Sequence, residues 1–274
     1  MPVTRLPTRA CIRVAGPDAR TLLHGLLTQD VETLAAGELR YGALLTPQGR
    51  LVCDLFLLGE EDGVLLDLDA GVRDAVAAKL KMHRLRAKCE IATVDMTVSA
   101  AWGDAPPGEG WIADPRLPAA GWRAYRPDSP DSSDSESYEA HRFALGLPDA
   151  VRDGLVDKAY ATEADLDLLN GVDFQKGCFV GQETTSRMKR RGGIRSRVLP
   201  LDVQGAAPGD EVLANGTLRA GEVLAARPGR ALALVRLDRV SGAILTVSGA
   251  GARLDPPPWL PAEALAPKPE ETPA

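Results

Sequence analysis

Cysteine and histidine are scarce in this chain. Its 274 residues hold four cysteines (Cys11, Cys53, Cys89 and Cys178) and three histidines (His24, His83 and His141). None falls in a C-x-x-C pair or in a zinc-like Cys/His spacing. A complete metal cage drawn from one chain is therefore not expected. Cysteines this far apart suit a reducing compartment. Aromatic residues make up only 4% of the chain, so a core must rest on leucine, valine and alanine. No apolar run reaches the length of a membrane span. The start, Met1-Pro2-Val3-Thr4-Arg5, shows neither the apolar segment nor the A-x-A-like site of a secretory signal. The expectation on these grounds is a cytoplasmic protein of bacterial type with no membrane contact. Basic excess is missing too. A net charge of −6 and a pI near 5.2 speak against direct nucleic-acid binding, though not against a local basic patch.

Hydrophobic residues reach 45%, enough for one large domain or two smaller ones. Strand and helix signals interleave in the first hundred residues. Cys11 to Val14 reads as a strand. Leu22, Leu23, Leu26 and Leu27 mark one face of a helix over 19–27. Strands are expected at 41–45 and 51–58 around the turn Thr46-Pro47-Gln48-Gly49, then at 64–68 and 91–98, with a helix over 72–85 between the last two. Helices follow at 138–145 and 163–169. Residues 126–137 are acidic and poor in apolar side chains, as in a solvated loop or a short disordered linker. From Val198 onward, short strands separated by turns such as Asn215-Gly216 and Pro228-Gly229 describe a small β-barrel. The fold class is α+β.

The densest chemistry lies in Lys176-Gly177-Cys178-Phe179-Val180-Gly181-Gln182-Glu183. A thiol, a cation, an amide and a carboxylate fall within one glycine-punctuated turn. Lys176 would favour the Cys178 thiolate, and a nearby Glu183 would oppose it. The bland alternative is a tight turn in which Cys178 fills a small hole. The basic run after it, Arg187 to Arg197, is either an exposed loop or a binder of a carboxylate or phosphate. Gly177-x-x-x-Gly181 lacks the Gly-Lys-Ser/Thr ending of a phosphate loop. His24 reads as a core-edge histidine. Cys11, Cys53 and Cys89 read as buried packing residues.

The eight-residue run resembles the signature of the YgfZ-type family, folate-binding proteins that support the assembly or repair of iron–sulfur proteins. Asp167 to Phe174, Arg187 to Gly192, Leu26 to Val31 and Leu44 to Arg50 resemble the family's flanking segments, so the likeness spans about residues 8–250. It implies a fold shared with the glycine-cleavage aminomethyltransferases: α+β subdomains around a central folate pocket, with a C-terminal β-barrel. The implied organisation is a folate-binding region over 1–197, a barrel over 198–255 and a proline-rich tail over 256–274. Cys178, with Lys176 beside it, would be the working thiol, and Gly177, Phe179, Gly181, Gln182 and Glu183 would shape its loop. Arg142, Glu163 and Arg187 would contact the folate. The implied cofactor is tetrahydrofolate or a derivative. A transient iron–sulfur cluster would be the cargo, and iron–sulfur assembly proteins or client enzymes the partners. One thiolate does not hold a cluster alone, because clusters take four ligands.

Where those transferases carry Gly-Gly-x-x-Asp-Asp with a catalytic first aspartate, this chain reads Gly49-Arg50-Leu51-Val52-Cys53-Asp54. Cys53 at the aspartate's place argues against their chemistry. Two other readings remain: a one-carbon transferase, and a non-catalytic folate-binding scaffold that affects tRNA modification indirectly.

Overall fold

The computed structural model describes residues 1–126, 134–190 and 194–266. Most of the acidic stretch (127–133), Arg191 and the two glycines of the basic run (191–193) and the end of the tail (267–274) lie outside the described residues.

The first elements are β1 (Val3–Arg5), β2 (Arg9–Ala15), α1 (Ala19–Leu26), β3 (Leu39–Leu45), β4 (Leu51–Glu60), β5 (Gly63–Asp69), α2 (Arg73–Arg84) and β6 (Glu90–Val94). Their main sheet is antiparallel, in the order β3-β4-β5-β2-β6. α1 and α2 cover one face: Leu23, Leu27, Val76 and Leu80 share a core with Ile12, Cys53, Leu55, Leu57 and Leu66. The β3–β4 turn closes on Gly49, whose N–H donates to Thr46 O at 2.8 Å and whose φ of +86° suits glycine.

Next come β7 (Val98–Ala101), β8 (Ile112–Ala113), β9 (Trp122–Tyr125) and α3 (Ser135–Ala144). With β1 the three strands form a second sheet, β1-β7-β9-β8. α3 starts at Asp134, whose carboxylate accepts the Ser137 N–H at 2.8 Å. The uncovered face of the main sheet meets this sheet, α3 and the turns over 149–172, and Tyr41, Phe56, Phe143, Leu155, Leu166 and Phe179 form the core there.

After α4 (Gln182–Arg190) come β10 (Ser196–Asp202), β11 (Glu211–Ala214), β12 (Leu218–Arg227), β13 (Arg230–Arg236), α5 (Leu237–Val240), β14 (Leu245–Val247) and β15 (Ala250–Leu254). The six strands close into a barrel in the order β10-β13-β12-β11-β14-β15, filled by Leu199, Leu201, Val212, Val223, Ala233 and Val235.

Two expectations change, and two further features were not foreseen. The strand over 91–98 divides: β6 ends at Val94 in the main sheet, and β7 starts at Val98 in the second. The helix over 163–169 does not form. Asp165 sits at φ +60°, a left-handed conformation that no α-helix accommodates. The segment instead wraps Arg197, which bonds the Asp165 carboxylate at 2.6 Å and the Thr162 carbonyl at 2.9 Å. α4, in turn, was hidden because only Thr185 on it is buried, which leaves no apolar stripe to read. Finally, the tail does not simply leave the barrel at 256. Pro257 and Leu260 are buried, and Trp259 Nε1 donates to Leu145 O at 2.7 Å.

Candidate functional site

The signature forms a loop leading into α4, and α1 and the β3–β4 turn hold it at several points. Val180 N donates to Gly25 O at 3.2 Å. Phe179 is buried in the core. Gly181 has a φ of +84°, and a β-carbon there would lie 2.8 Å from Thr46 O and 3.0 Å from Gly49 Cα. Gly49 is equally tight, with the methyl-bearing side chain of Thr184 3.0 Å from its missing β-carbon. Two glycine backbones thus meet where the β3–β4 turn packs on the start of α4. Gln182 Nε2 reaches back to Gly177 O at 3.4 Å. Gly177, Cys178 and Glu183 are exposed.

Lys176 does different work from that expected of it. Its ammonium donates to the carbonyl oxygens of His24 at 2.5 Å, Leu27 at 2.7 Å and Gln29 at 2.9 Å. These lie at and just after the end of α1, where helix carbonyls lack partners. The Asp173 carboxylate accepts the N–H groups of Gln175 and Lys176 and so shapes the turn. Burial pulls the Lys176 ammonium down to about 8, while Asp30, Asp173 and Glu32 oppose it. Lys176 is a strut between the loop and α1. Its ammonium is engaged by three backbone carbonyls.

His24, read from sequence as a core-edge residue, borders the same loop. Its Nδ1 lies 3.0 Å from Asp30 Oδ1. Its Nε2 is 3.7 Å from the point where a Gly177 β-carbon would sit. Nothing in the spacing of residues 24, 30 and 177 reveals this.

The expected folate contacts do not share one place. Arg187 is exposed on α4. Glu163 accepts the Tyr160 N–H at 3.0 Å, and burial raises its pKa against the pull of that bond, Arg50 and Ser196. Arg50 stacks on Tyr160 at 4.2 Å. Arg142 lies elsewhere, in a buried network between the two sheets and α3. All three of its guanidinium nitrogens are engaged, by Glu139, by Asp153 at 2.7 and 2.9 Å, and by Leu147 O. It is a structural ion-pair residue, with no donor left for a ligand carboxylate.

The network continues through other arginines. Arg9 and Arg123 each donate to Asp67 at 2.7 Å. Arg116 grips Asp114 with two nitrogens, at 3.0 and 2.8 Å. The Arg123 guanidinium lies 3.8 Å from the Phe56 ring centroid, and that of Arg116 4.9 Å. The space left is about 20 Å³. The sequence signal for this cluster was Asp67 inside the apolar run Val64 to Leu68. A charge in a strand buried on both faces needs partners from elsewhere.

Strand parity corrects the reading of Cys53. Side chains alternate along β4: Cys53, Leu55 and Leu57 enter the core under α1 and α2, whereas Asp54 and Phe56 line the arginine cavity. A carboxyl group therefore does face the centre. Asp54 accepts the Tyr41 hydroxyl at 3.0 Å and the Ala150 N–H at 2.9 Å. Burial and the neighbouring Asp149 raise its pKa to about 6, against Arg9. The folded state thus keeps a proton that the unfolded chain has lost, and this group's contribution to stability falls as pH rises from about 4 to about 6. Asp54→Asn is expected to flatten that part of the profile. Urea midpoints from pH 4 to 7 test it, and an unchanged slope in the variant would reject it.

Comparison with known proteins accords with this architecture. The GCVT N-terminal domain family matches residues 7–103, and the CAF17 C-terminal beta-barrel domain matches residues 195–262. The iron-sulfur cluster assembly factor IBA57, mitochondrial, of Homo sapiens is 31% identical over 301 residues, covering 94% of this chain and 85% of the human protein. The chain belongs to the CAF17/IBA57 family. The mitochondrial IBA57 homolog of Neurospora crassa is 33% identical, covering 78% of this chain. The chain spans only 56% of that fungal relative's length. The crystal structure of glycine cleavage system aminomethyltransferase T from Bartonella henselae superposes with a TM-score of 0.76 at 18% identity, covering 94% of this chain and 86% of the other. That likeness establishes the aminomethyltransferase-like fold with its C-terminal barrel.

The expected cytoplasmic location is overturned by these matches. The human and fungal IBA57 relatives are named as mitochondrial. Composition and cysteine spacing do not distinguish one reducing compartment from another. Among the described residues no helix is long and apolar enough to cross a membrane.

Proposed function

We propose that this member of the CAF17/IBA57 family supports the assembly of iron–sulfur proteins, with Cys178 as the thiol that meets a cluster or a partner protein. The names of its relatives support the biological setting. The observation that carries the choice of residue is exposure. Cys11 and Cys53 are buried, Cys89 is half-buried and Cys178 is exposed. Burial also pushes the Cys11 and Cys53 thiols up to about 12, so neither supplies a thiolate at neutral pH.

Among the described residues no group of three or more His, Cys, Asp or Glu side chains could hold a metal ion. Cys178 would therefore give one ligand, and a partner, a second subunit or a small thiol would give the rest. Helix α4 follows Cys178 closely in the chain, and its Gln182, Glu183, Ser186, Arg187 and Arg190 line an open groove that offers charged groups to such a partner. Folate enters this reading only through the likeness to the aminomethyltransferases. The same holds for one-carbon transfer, because Asp54 faces a space too small for that substrate.

The test is complementation of cells that lack their own factor. The wild type should restore a cluster-dependent enzyme, and Cys178→Ser should not. An exposed substitution of this kind should change folding stability by no more than about 0.5 kcal/mol. Equal restoration by both proteins would remove Cys178 from the reading.

A further inference from the structure

The cavity between the two sheets holds Arg142, one of the folate contacts the resemblance implies, and Asp54, the carboxyl group of β4 that faces the centre. We infer that it is a closed structural keystone and that the chain takes no folate there. Three observations carry this.

The first is room. About 20 Å³ remains, the space of roughly one water molecule. A ligand the size of a pterin with its tail occupies a cleft of roughly 300–1,000 Å³.

The second is charge. A folate tail needs cations free to meet its carboxylates. Here Arg9 and Arg123 are held by Asp67, Arg116 by Asp114, and Arg142 by Glu139 and Asp153, all within 2.8 Å at their shortest contacts. Each of these guanidinium groups already has a carboxylate partner. Each is also nearly sealed from water, with side-chain exposures between 2% and 6%.

The third is separation. Glu163, the expected pterin contact, does not line this cavity. Its carboxylate folds back onto the Tyr160 N–H beside Arg50. The residues that a shared folate would bridge are thus divided between two places, and one of these places is full. Phe56 completes the plug, because the Arg116 and Arg123 guanidinium groups pack against its ring.

The inference does not depend on Cys178, so it stands or falls separately from the proposed function. The test is calorimetric titration of the full chain with tetrahydrofolate under reducing conditions, with fluorescence of Trp102, Trp111, Trp122 and Trp259 as a second readout. The expected result is no saturable signal up to about millimolar ligand, where an ordinary specific site would be filled. Saturable binding that weakens tenfold or more in Asp54→Asn would overturn the inference. Binding that is equally tight in that variant would put the ligand outside the cavity and uphold it. Hydrogen exchange of the wild type, with and without tetrahydrofolate, avoids reliance on the variant. Ligand-induced protection of β4 and α3 would overturn the inference, and unchanged exchange there would support it.

Discussion

Arg142→Met is expected to lose about 3–5 kcal/mol of folding stability, the usual cost of removing one partner from a buried ion pair. In a chain of this length that lowers the melting temperature by on the order of 10 °C. Methionine retains much of the side-chain volume, so the loss comes from charge and hydrogen bonding rather than from a void. Glu139 keeps Arg152 at 2.6 Å, but Asp153 loses its cation and keeps only the Asp149 N–H at 2.8 Å. Burial already holds the Asp153 pKa above its usual value, even with Arg142 opposing it. Without Arg142 it rises further. A carboxyl whose folded pKa is raised costs stability as pH climbs, because the unfolded chain releases the proton first. The defect should therefore be deeper at pH 8 than at pH 5. Melting curves at the two pH values test both parts. A midpoint like that of the wild type, with a defect confined to ligand affinity, would return Arg142 to the role of a ligand contact.

This cluster marks the limit of what the sequence discloses. Helix α1 was legible because Leu22, Leu23, Leu26 and Leu27 repeat at helical spacing, and Leu23, Leu26 and Leu27 are buried. The barrel was legible because its turns are local: Asn215 and Gly216 both take positive φ, at +50° and +81°, as a tight hairpin requires. The signature was legible because its glycines and thiol are contiguous. Pairings over long separations were not. Asp67 meets Arg9 and Arg123 across 58 and 56 residues, and Lys176 meets the carbonyls of α1 across about 150. Cys53 and Asp54 show the sharpest case. Adjacent residues on one strand enter opposite cores, and a motif comparison that is silent on strand face assigns chemistry to the wrong one. α4 failed for another reason, since a helix with one buried residue is held by its ends and neighbours rather than by an apolar stripe.

Lys176→Met is expected to cost roughly 2–4 kcal/mol and to free the loop that carries Cys178. The three carbonyls of His24, Leu27 and Gln29 would lose a shared donor, and a buried acceptor left unpaired costs about 1–3 kcal/mol. Water replaces part of that bonding, because the site is close to the surface. The ammonium's packing on the Phe179 ring, at 5.2 Å, would go as well. Lys176→Arg should rescue only in part, because a planar fork does not aim three donors from one atom at three converging oxygens. The pH dependence has a definite sign. With the folded ammonium at about 8 and the unfolded one near 10.4, the unfolded chain binds more protons between these values, and stability in the wild type rises with pH across that window. Lys176→Met should remove this slope. Limited proteolysis separates the strut from the thiol-activating role that the sequence suggested. A strut predicts faster cleavage around residues 175–181 in Lys176→Met, with Cys178 alkylated at least as fast as in the wild type. An intact loop with slower alkylation would mean instead that Lys176 acts on the thiol.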